Sequence, residues 1–363
     1  MADTLFHGLS PNVEGYMDIY SKGTLNSVIF LLGAGASVDA GMPMIAQLTK
    51  QLRERLPEIP DLEGIVRPEF AEVFDFIKEH DKSIADNYEK FFEWISLLLL
   101  LHDQAKPFHK IIKVQIERPL IDAMRHLVRV IGGEIKRLLE SRRIEPSYFA
   151  RLADFLPDRG RLKIFSLNYD CCVEEACRAA SIDLTTGFDP ISMKWRPALF
   201  RSKVKGINLY KLHGSLRWFS ALTEGATGET SHPARELLEV RPEQRTHLPA
   251  QHSIRAEPEL ILGPGNKVHF DDPFPTLLYE FHRSVQQARI CVVIGYGQGD
   301  KHIQDILYHA ICRGLFIVNV NPGGGGDLNG TTARWHPIRL PAKKALESGR
   351  IRGEIDSVGD APE

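Results

Sequence analysis

Four short apolar runs in this chain each give way to a cluster of glycine or polar residues. The clusters, in chain order, are Gly33-Ala34-Gly35-Ala36-Ser37, Asn168-Tyr169-Asp170, His213-Gly214-Ser215 and Gly295-Tyr296-Gly297. Short apolar runs bounded in this way are typical of buried β-strands. In an open parallel sheet, ligands bind at the carboxyl edge, where these four clusters would meet. The pattern therefore predicts a nucleotide site at one edge of a parallel sheet.

The remaining pattern favours an α/β fold. Strands are predicted at 27–32, 163–167, 208–212, 260–262, 290–294 and 315–320, and crossover helices at 171–180 and 301–312. Residues 62–157 carry helical periodicity and little strand signal. We therefore expect a Rossmann-like parallel sheet flanked by helices, with a large helical insertion between the first two strands.

Changes in composition along the 363 residues indicate one main domain with a flanking segment at each end. We expect a single catalytic domain over 27–340, preceded by an N-terminal segment over 1–26 in which 13–20 can form a short helix. Residues 221–258 are rich in Thr, Glu, Arg and Pro, which predicts a loop-rich excursion. Residues 341–363 are mostly charged or small, which predicts a flexible tail.

Charge and cysteine content exclude several classes of protein. A formal net charge of -2 gives no electrostatic basis for direct nucleic-acid binding. The apolar run at 97–101 is far shorter than the roughly 18 residues of a membrane span. The five cysteines include no C-x-x-C pair, so neither a disulfide framework nor a structural zinc site is expected. With no secretory pattern at the N-terminus, we expect a cytoplasmic protein without a metal.

The first cluster has the features of an anion site. Gly33 and Gly35 allow close approach of a ligand to the backbone, and free N–H groups at a following helix would favour phosphate. The G-x-G-x-x-G spacing of dehydrogenases fails here, because Val38 occupies the third glycine position. A tight turn with a purely structural role remains the alternative.

The next two clusters offer groups for chemistry. Alternation along an extended chain would place Asn168 and Asp170 on one side, where an amide and a carboxylate suit ribose hydroxyls or an amide-bearing ring. His213 follows a strand, and a neutral imidazole there can accept a proton from water. As alternatives, Asp170 can cap the helix that begins near Cys171, and His213 can be structural. Gly295-Tyr296-Gly297 offers a second backbone-rich loop at a helix N-terminus, and Asn321, at the end of a predicted strand, could meet a ribose or adenine edge.

Taken together, these motifs resemble the sirtuin superfamily, and more specifically the bacterial sirtuin-like proteins that hydrolyse NAD+ instead of deacylating lysine. The resemblance covers residues 27–322 and rests on the four clusters together with Gly41-Met42-Pro43, Ser166-Leu167, Lys211-Leu212, Leu216-Arg217-Trp218 and Asn321-Pro322.

The resemblance implies a role for each matched residue. The segment from Gly33 through Ala34 and Gly35 to Ser37 would hold the NAD+ diphosphate beside Pro43. Asn168 would orient the nicotinamide ribose and the attacking water, while Asp170 would shape the nicotinamide pocket and His213 would act as general base. The residues that would hold the adenosine half are Gly295, Tyr296 and Asn321.

Two departures from deacylating sirtuins set the expected activity. Residues 214–290 contain no cysteine, whereas deacylases carry a four-cysteine zinc module there, and Pro43 is followed by Met44-Ile45-Ala46 instead of Asp-Phe-Arg. The resemblance thus implies an NAD+ glycohydrolase that serves antiphage defence by depleting NAD+. It also implies a homo-oligomer and a partner such as a HerA-like ATPase. The alternatives are a non-catalytic NAD or ADP-ribose sensor and a sirtuin-type ADP-ribosyl transferase or deacylase.

Overall fold

A parallel seven-stranded sheet forms the centre of the protein. The computed structural model describes residues 27–104, 116–223, 234–247, 252–262, 272–326, 328 and 332–359. The strands of this sheet are β1 (Val28–Leu32), β2 (Arg161–Ser166), β3 (Leu184–Thr185), β4 (Gly206–Lys211), β8 (Ile290–Ile294), β9 (Phe316–Val320) and β10 (Trp335–Ile338), in the order β10-β9-β8-β1-β2-β4-β3. All the strand pairs described in it are parallel. The predicted Rossmann-like architecture is confirmed.

Helices cover both faces of this sheet because its central strands are apolar on both sides. Along β1, Phe30 and Leu32 face one hydrophobic cluster while Ile29 and Leu31 face the other. The first cluster includes residues of α5 (Cys172–Ala179), and the second includes residues of α6 (Phe274–Gln287) and α7 (Lys301–Ile311). A strand buried on both faces reads as a continuous apolar run, which is the pattern that revealed these strands.

The helical insertion extends the first cluster beyond the sheet. Its helices are α2 (Glu69–His80), α3 (Tyr88–Gln104) and α4 (Arg118–Glu140), and α1 (Ile45–Arg55) precedes them. Phe70, Phe91 and Leu127 are fully buried in the same hydrophobic cluster as Phe30 of β1. The predicted insertion is therefore present, and its core is continuous with that of the sheet.

The chain after His213 forms strands where a loop-rich excursion was predicted. β5 (Gly214–Thr223), β6 (Ala234–Glu239) and β7 (His252–Leu260) make an antiparallel sheet in the order β6-β5-β7. A small hydrophobic cluster that includes Phe219 and Leu238 stabilises it. The prediction was wrong for β6 and β7 because charged residues interrupt the apolar pattern of these strands. In β6, for example, Leu237 and Leu238 are flanked by Glu236 and Glu239. Residues 224–233 and 248–251 lie outside the described part.

The predicted flexible tail is also wrong over residues 342–359. These residues form α8 (Ala342–Glu347) and α9 (Arg350–Gly359), in which Ala345, Ile351 and Ile355 are fully buried. The Asp39 carboxylate accepts a 2.9 Å hydrogen bond from the Lys343 N–H and so caps the start of α8. A few apolar side chains among many charged ones gave no visible pattern in the sequence. The N-terminal segment 1–26, including the expected helix at 13–20, and residues 360–363 lie outside the described residues.

The sequence analysis predicted that the apolar run at 97–101 is too short to span a membrane. Of the helices that the structure describes, none combines the length and apolar character needed to cross a bilayer.

Candidate functional site

The fold brings the four sequence clusters to one edge of the sheet. Their strands are neighbours in the order β8-β1-β2-β4, and all four run in the same direction. Backbone hydrogen bonds continue beyond the strand ends: the Leu167 N–H donates to the Leu32 carbonyl and the Leu212 N–H to the Ser166 carbonyl, both at 2.9 Å. The loops that carry the clusters therefore begin side by side.

The glycines of the first cluster allow two loops to lie directly against each other. The N–H groups of Gly33 and Gly35 donate to the carbonyl oxygens of Ile294 and Gly295, each at 2.9 Å. A Cβ on Gly33 would lie 2.7 Å from the Gly295 oxygen, closer than real Cβ atoms come to any backbone atom. These glycines thus serve the contact between the loop after β1 and the loop after β8.

This arrangement changes which atoms of the turn can bind a diphosphate. The N–H groups of Gly33, Gly35 and Ala36 are all used in hydrogen bonds to protein carbonyls. Ala34 is exposed at the tip of the turn and starts the 3-10 helix Ala34–Ala40, in which Ser37 is buried. The sequence did not point to Tyr148, whose hydroxyl donates to the Ala36 oxygen at 2.6 Å and holds this helix in place.

Asn168 is fixed to the same turn. Its side-chain amide nitrogen donates to the Gly33 carbonyl oxygen at 3.0 Å and to Ser37 Oγ at 3.1 Å. The side chain is 9% exposed, so these bonds form in a mostly dry environment. Asn168 is therefore in direct contact with two predicted site residues, Gly33 and Ser37, that lie more than 130 positions earlier in the chain.

Asp170 makes the helix cap that was considered as its alternative role. Its Oδ1 accepts a 3.0 Å hydrogen bond from the Cys172 N–H at the start of α5. The backbone oxygen of Asp170 accepts a hydrogen bond from the Lys211 ammonium, which also lies 3.5 Å from Glu174 Oε1. Any contact of Asp170 with a ligand would come in addition to this structural role.

Lys211 is part of the motifs that carry the resemblance, but the sequence analysis predicted no role for it. Its side chain is 1% exposed at the end of β4. Burial lowers the pKa of the ammonium, but the Glu174 carboxylate opposes this and the pKa is raised overall. The charged pair thus ties the end of β4 to α5, and the bond from the ammonium to the Asp170 oxygen ties it to the loop that carries Asn168.

His213 lies at the end of β4, beside β2. It is 3% exposed, and its backbone oxygen accepts a 2.9 Å hydrogen bond from the Ile261 N–H. The ring of His302, on the first turn of α7, has its centroid 6.2 Å from the His213 centroid, with 44° between the ring planes. Nothing in the sequence alone distinguishes His302 from the other histidines, of which the chain has 14 in total.

The residues predicted for the adenosine half have structural contacts of their own. The Tyr296 ring lies in the core, its hydroxyl donates to the Asp300 backbone oxygen at 3.1 Å, and burial raises the pKa of the phenol. Asn321 Oδ1 accepts a 3.0 Å hydrogen bond from the Gly323 N–H. Pro43 is buried ahead of α1. The side chain of Tyr296 is therefore taken up by contacts within the protein.

Two cavities lie beside α5, and neither is lined by residues of the turn at 33–37, which we call the glycine turn. Their volumes are about 700 and 450 Å³, and Glu175, Arg178 and Arg217 line both of them. The smaller one also reaches Met42 and Cys171, which follow the first two clusters. We assign the candidate site to the edge of the sheet, because that is where the polar groups converge.

Comparison with solved structures finds Sir2 proteins at low identity. A Sir2 homologue in complex with NAD is 15% identical (TM-score 0.41; 96% of this chain and 98% of that chain covered). A mutant Sir2 homologue bound to ADP-ribose is 14% identical (TM-score 0.41; 93% and 94% covered), and a Sir2 bound to acetylated peptide is 11% identical (TM-score 0.41; 95% and 100% covered). No curated protein matches this chain. Residues 162–314, the stretch that carries both Asn168 and His213, match the SIR2-like domain family.

Proposed function

We propose that this protein is an NAD+ glycohydrolase, which cleaves NAD+ to nicotinamide and ADP-ribose. The observation that carries the proposal is the fixed position of Asn168, whose amide is bonded to both Gly33 and Ser37 at the edge where His213 also lies. The match of residues 162–314 to the SIR2-like domain family supports NAD+ as the substrate.

The reaction needs little from the enzyme beyond placement and proton transfer. The bond from ribose C1′ to the nicotinamide nitrogen breaks with its electron pair going to the ring, so a cationic ring leaves as a neutral molecule. A water oxygen then bonds to C1′ and loses a proton. In our proposal Asn168 orients the ribose and the water, and His213 accepts that proton. General base catalysis contributes roughly 10²- to 10⁴-fold, and orientation supplies much of the remainder.

The glycine turn suits the diphosphate through Ala34 and Ser37. Ala34 is exposed at the start of the 3-10 helix, where an N–H group points away from the helix and favours an anion. On the opposite loop, a Cβ on Gly297 would meet no atom within 4 Å, which leaves room beside the turn. We propose that the adenosine half lies along this loop towards Asn321.

The segment after His213 favours hydrolysis over lysine deacylation. Deacylating sirtuins, which this chain resembles in its motifs, carry a four-cysteine zinc module after the histidine motif. Residues 214–290 of this chain contain no cysteine. Here an antiparallel sheet follows, packed through apolar side chains that include Met193, Phe219 and Leu238. Its stability comes from burial of these side chains.

The biological setting is proposed from the resemblance alone. An enzyme that destroys NAD+ suits an effector of antiphage defence, and its toxicity calls for control by a partner such as a HerA-like ATPase. We also propose a homo-oligomer in the cytoplasm. Light scattering of the purified protein tests the oligomer, and NAD+ content of infected cells that carry the protein or its His213→Ala variant tests the defence role.

Product analysis tests the enzymatic proposal. Purified protein is incubated with NAD+, alone and with cell extract, and nicotinamide and ADP-ribose are quantified without added peptide. We expect equal amounts of the two products, and at least tenfold slower formation of both by His213→Ala. Release of nicotinamide with ADP-ribose attached to protein would indicate transfer instead. NAD+ binding without release in either condition would indicate a sensor.

A further inference from the structure

The smaller of the two cavities beside α5 has the size and the apolar walls of a small-molecule site. Its volume of about 450 Å³ lies within the roughly 300–1,000 Å³ that such sites occupy. Leu139 of α4, Ala176 of α5 and Leu216 of β5 line it, and all three are buried. Elements that are distant in sequence therefore enclose a space in which an apolar group would be shielded from water.

The charges in the lining of this cavity favour an anion. Arg178 and Arg217 both donate to the Glu175 carboxylate, so one carboxylate serves two cations. The other glutamate of the lining, Glu140, forms an ion pair with Lys136, which lies outside the lining. A third arginine, Arg142, is added to these groups. The cavity therefore has a surplus of positive charge.

Arg142 contributes most to this surplus, because its hydrogen-bond partners are neutral. The half-buried guanidinium donates to the Gly41 backbone oxygen at 3.4 Å and to Gln51 Oε1 at 2.7 Å. Its Nε is buried, and no residue in the described part of the chain accepts a hydrogen bond from it. A guanidinium has five N–H donors, and a carboxylate or phosphate is the acceptor that it binds most strongly.

Hydrogen bonds between distant segments hold the walls of the cavity in place. The Leu216 N–H donates to the Tyr169 oxygen at 3.1 Å, which joins β5 to the loop after β2. The Glu145 N–H donates to the Ala40 oxygen at 3.0 Å, which joins the chain after α4 to the 3-10 helix after β1. A ligand would therefore enter a site that is already formed, as is usual for small-molecule sites.

This cavity is separate from the candidate NAD+ site. Among the described residues that line it, none belongs to the glycine turn, and neither Asn168 nor His213 is present. The cavity meets the candidate site only through chain neighbours of the clusters, such as Met42 and Cys171. An occupant of this cavity is therefore a molecule other than the proposed substrate.

We infer that this cavity, between α4, α5 and β5, is a second binding site, which takes a small amphipathic anion. The apolar body of the ligand packs against Leu139, Ile144 and Leu216, and its carboxylate, sulfonate or phosphate group is bound by Arg142. The inference goes beyond the proposed function, since binding here requires no cleavage of NAD+.

Two fluorescent probes with the same rings test the apolar and the anionic part separately. 8-Anilinonaphthalene-1-sulfonate (ANS) has an apolar aromatic body and one sulfonate, and N-phenyl-1-naphthylamine has the same rings without a charge. We expect the wild-type protein to bind one ANS molecule per chain in the presence of saturating NAD+. The neutral probe should bind to the same site more weakly.

A pair of arginine variants tests the anionic group. Arg142→Gln should weaken ANS binding about tenfold, because a hydrogen bond between charged groups contributes more than a neutral one. It should leave the affinity for the neutral probe within about twofold. Arg143→Gln is the matched control, because Arg143 is the next residue, is exposed and lies outside the lining. It should leave the affinity for both probes within about twofold.

A pair of tryptophan variants tests the position of the site. Ala179 lines the cavity, whereas the next residue, Ala180, is equally exposed to solvent in class but lies outside the lining. Ala179→Trp should fill the space and weaken binding of both probes at least tenfold. Ala180→Trp should bind both as the wild-type protein does. Thermal unfolding of every variant checks that it is folded, because loosely packed protein also binds ANS.

Four results would overturn the inference. They are displacement of ANS by NAD+, no ANS binding to the folded wild-type protein, equal ANS affinities of Arg142→Gln and Arg143→Gln, and equal affinities of the two tryptophan variants. The first would place the probe in the NAD+ site, and the others would leave the cavity without a ligand of this class. All four are binding results, so a failure of the proposed NAD+ hydrolysis is seen separately, in product analysis.

Discussion

The amide nitrogen of Asn168 lies 3.1 Å from the hydroxyl oxygen of Ser37, a residue 131 positions earlier in the chain. The bond joins the loop after β2 to the turn after β1, and a second bond to the Gly33 oxygen completes the contact. The orientation of Asn168 thus depends on two partners, one of which is a side chain that can be removed.

Removal of the Ser37 hydroxyl should impair catalysis more than folding. We expect Ser37→Ala to lower kcat about fivefold, because one hydrogen bond contributes on the order of 1 kcal/mol to holding the amide. Steady-state nicotinamide release measures this effect. Ser192→Ala is the control, because its hydroxyl bonds to Asp189 in a separate loop. Equal kcat values for both variants would show that Ser37 does not orient Asn168.

Replacement by alanine should lower the free energy of unfolding strongly at Gly295 and hardly at all at Gly297, although both glycines lie in the loop after β8. Gly295 has a φ of +64°, and a Cβ there would overlap the backbone of Gly35 and Ala36. We expect Gly295→Ala to lower the free energy of unfolding by more than about 2 kcal/mol. Gly297→Ala should change it by less than about 0.5 kcal/mol, because the added methyl group meets open space. Urea unfolding of both variants measures the difference, and similar values would contradict the loop contact.

The buried pair of Lys211 and Glu174 should show strong coupling. Lys211→Met leaves the Glu174 carboxylate buried without its cation, which costs about 3–5 kcal/mol of unfolding free energy. Glu174→Gln in the same chain removes that charge, so the double variant should lose less than the sum of the two single losses. A double-mutant cycle from urea unfolding gives the coupling. Additive losses would mean that the two charges do not interact.

Ionisation of the buried Glu239 carboxyl should lower the free energy of unfolding as the pH rises. Burial raises the pKa of its carboxyl, although hydrogen bonds from Thr186 and Trp218 oppose the shift. Since the folded pKa lies above the unfolded value near 4.5, the folded state binds more protons and stability falls as pH rises from that value through the folded pKa. Glu239→Gln should remove this slope. Unfolding free energies at acidic and alkaline pH measure it, and identical slopes for the two proteins would contradict the shift.

The parts of the fold that could be read from the sequence were those with continuous or simply periodic apolar patterns. β1 and β8 are buried on both faces, so their sequences are uninterrupted apolar runs. β6 and β7 were missed because charged residues interrupt their apolar patterns, as Glu236 and Glu239 do on either side of Leu237 and Leu238 in β6. α9 was missed because its few buried apolar residues, which include Ile351 and Ile355, are separated by charged and small residues.

The candidate site was predictable only where residues follow strand ends. Asn168 and Ser37 could be selected, but not the bond between them, because sheet order is needed to bring their loops together. Lys211 gave no sign of burial, since its partner lies on α5, and lysine is usually exposed. His302 became distinct from other histidines only through its distance from His213.

The most direct test of the account compares nicotinamide release by the wild-type protein with that by Asn168→Ala and His213→Ala, with NAD+ binding measured by calorimetry. We predict that kcat falls at least tenfold in each variant, as expected for loss of orientation or of a general base, while folding is retained and NAD+ still binds. Full activity in both variants would contradict the assignment of the reaction to this edge of the sheet.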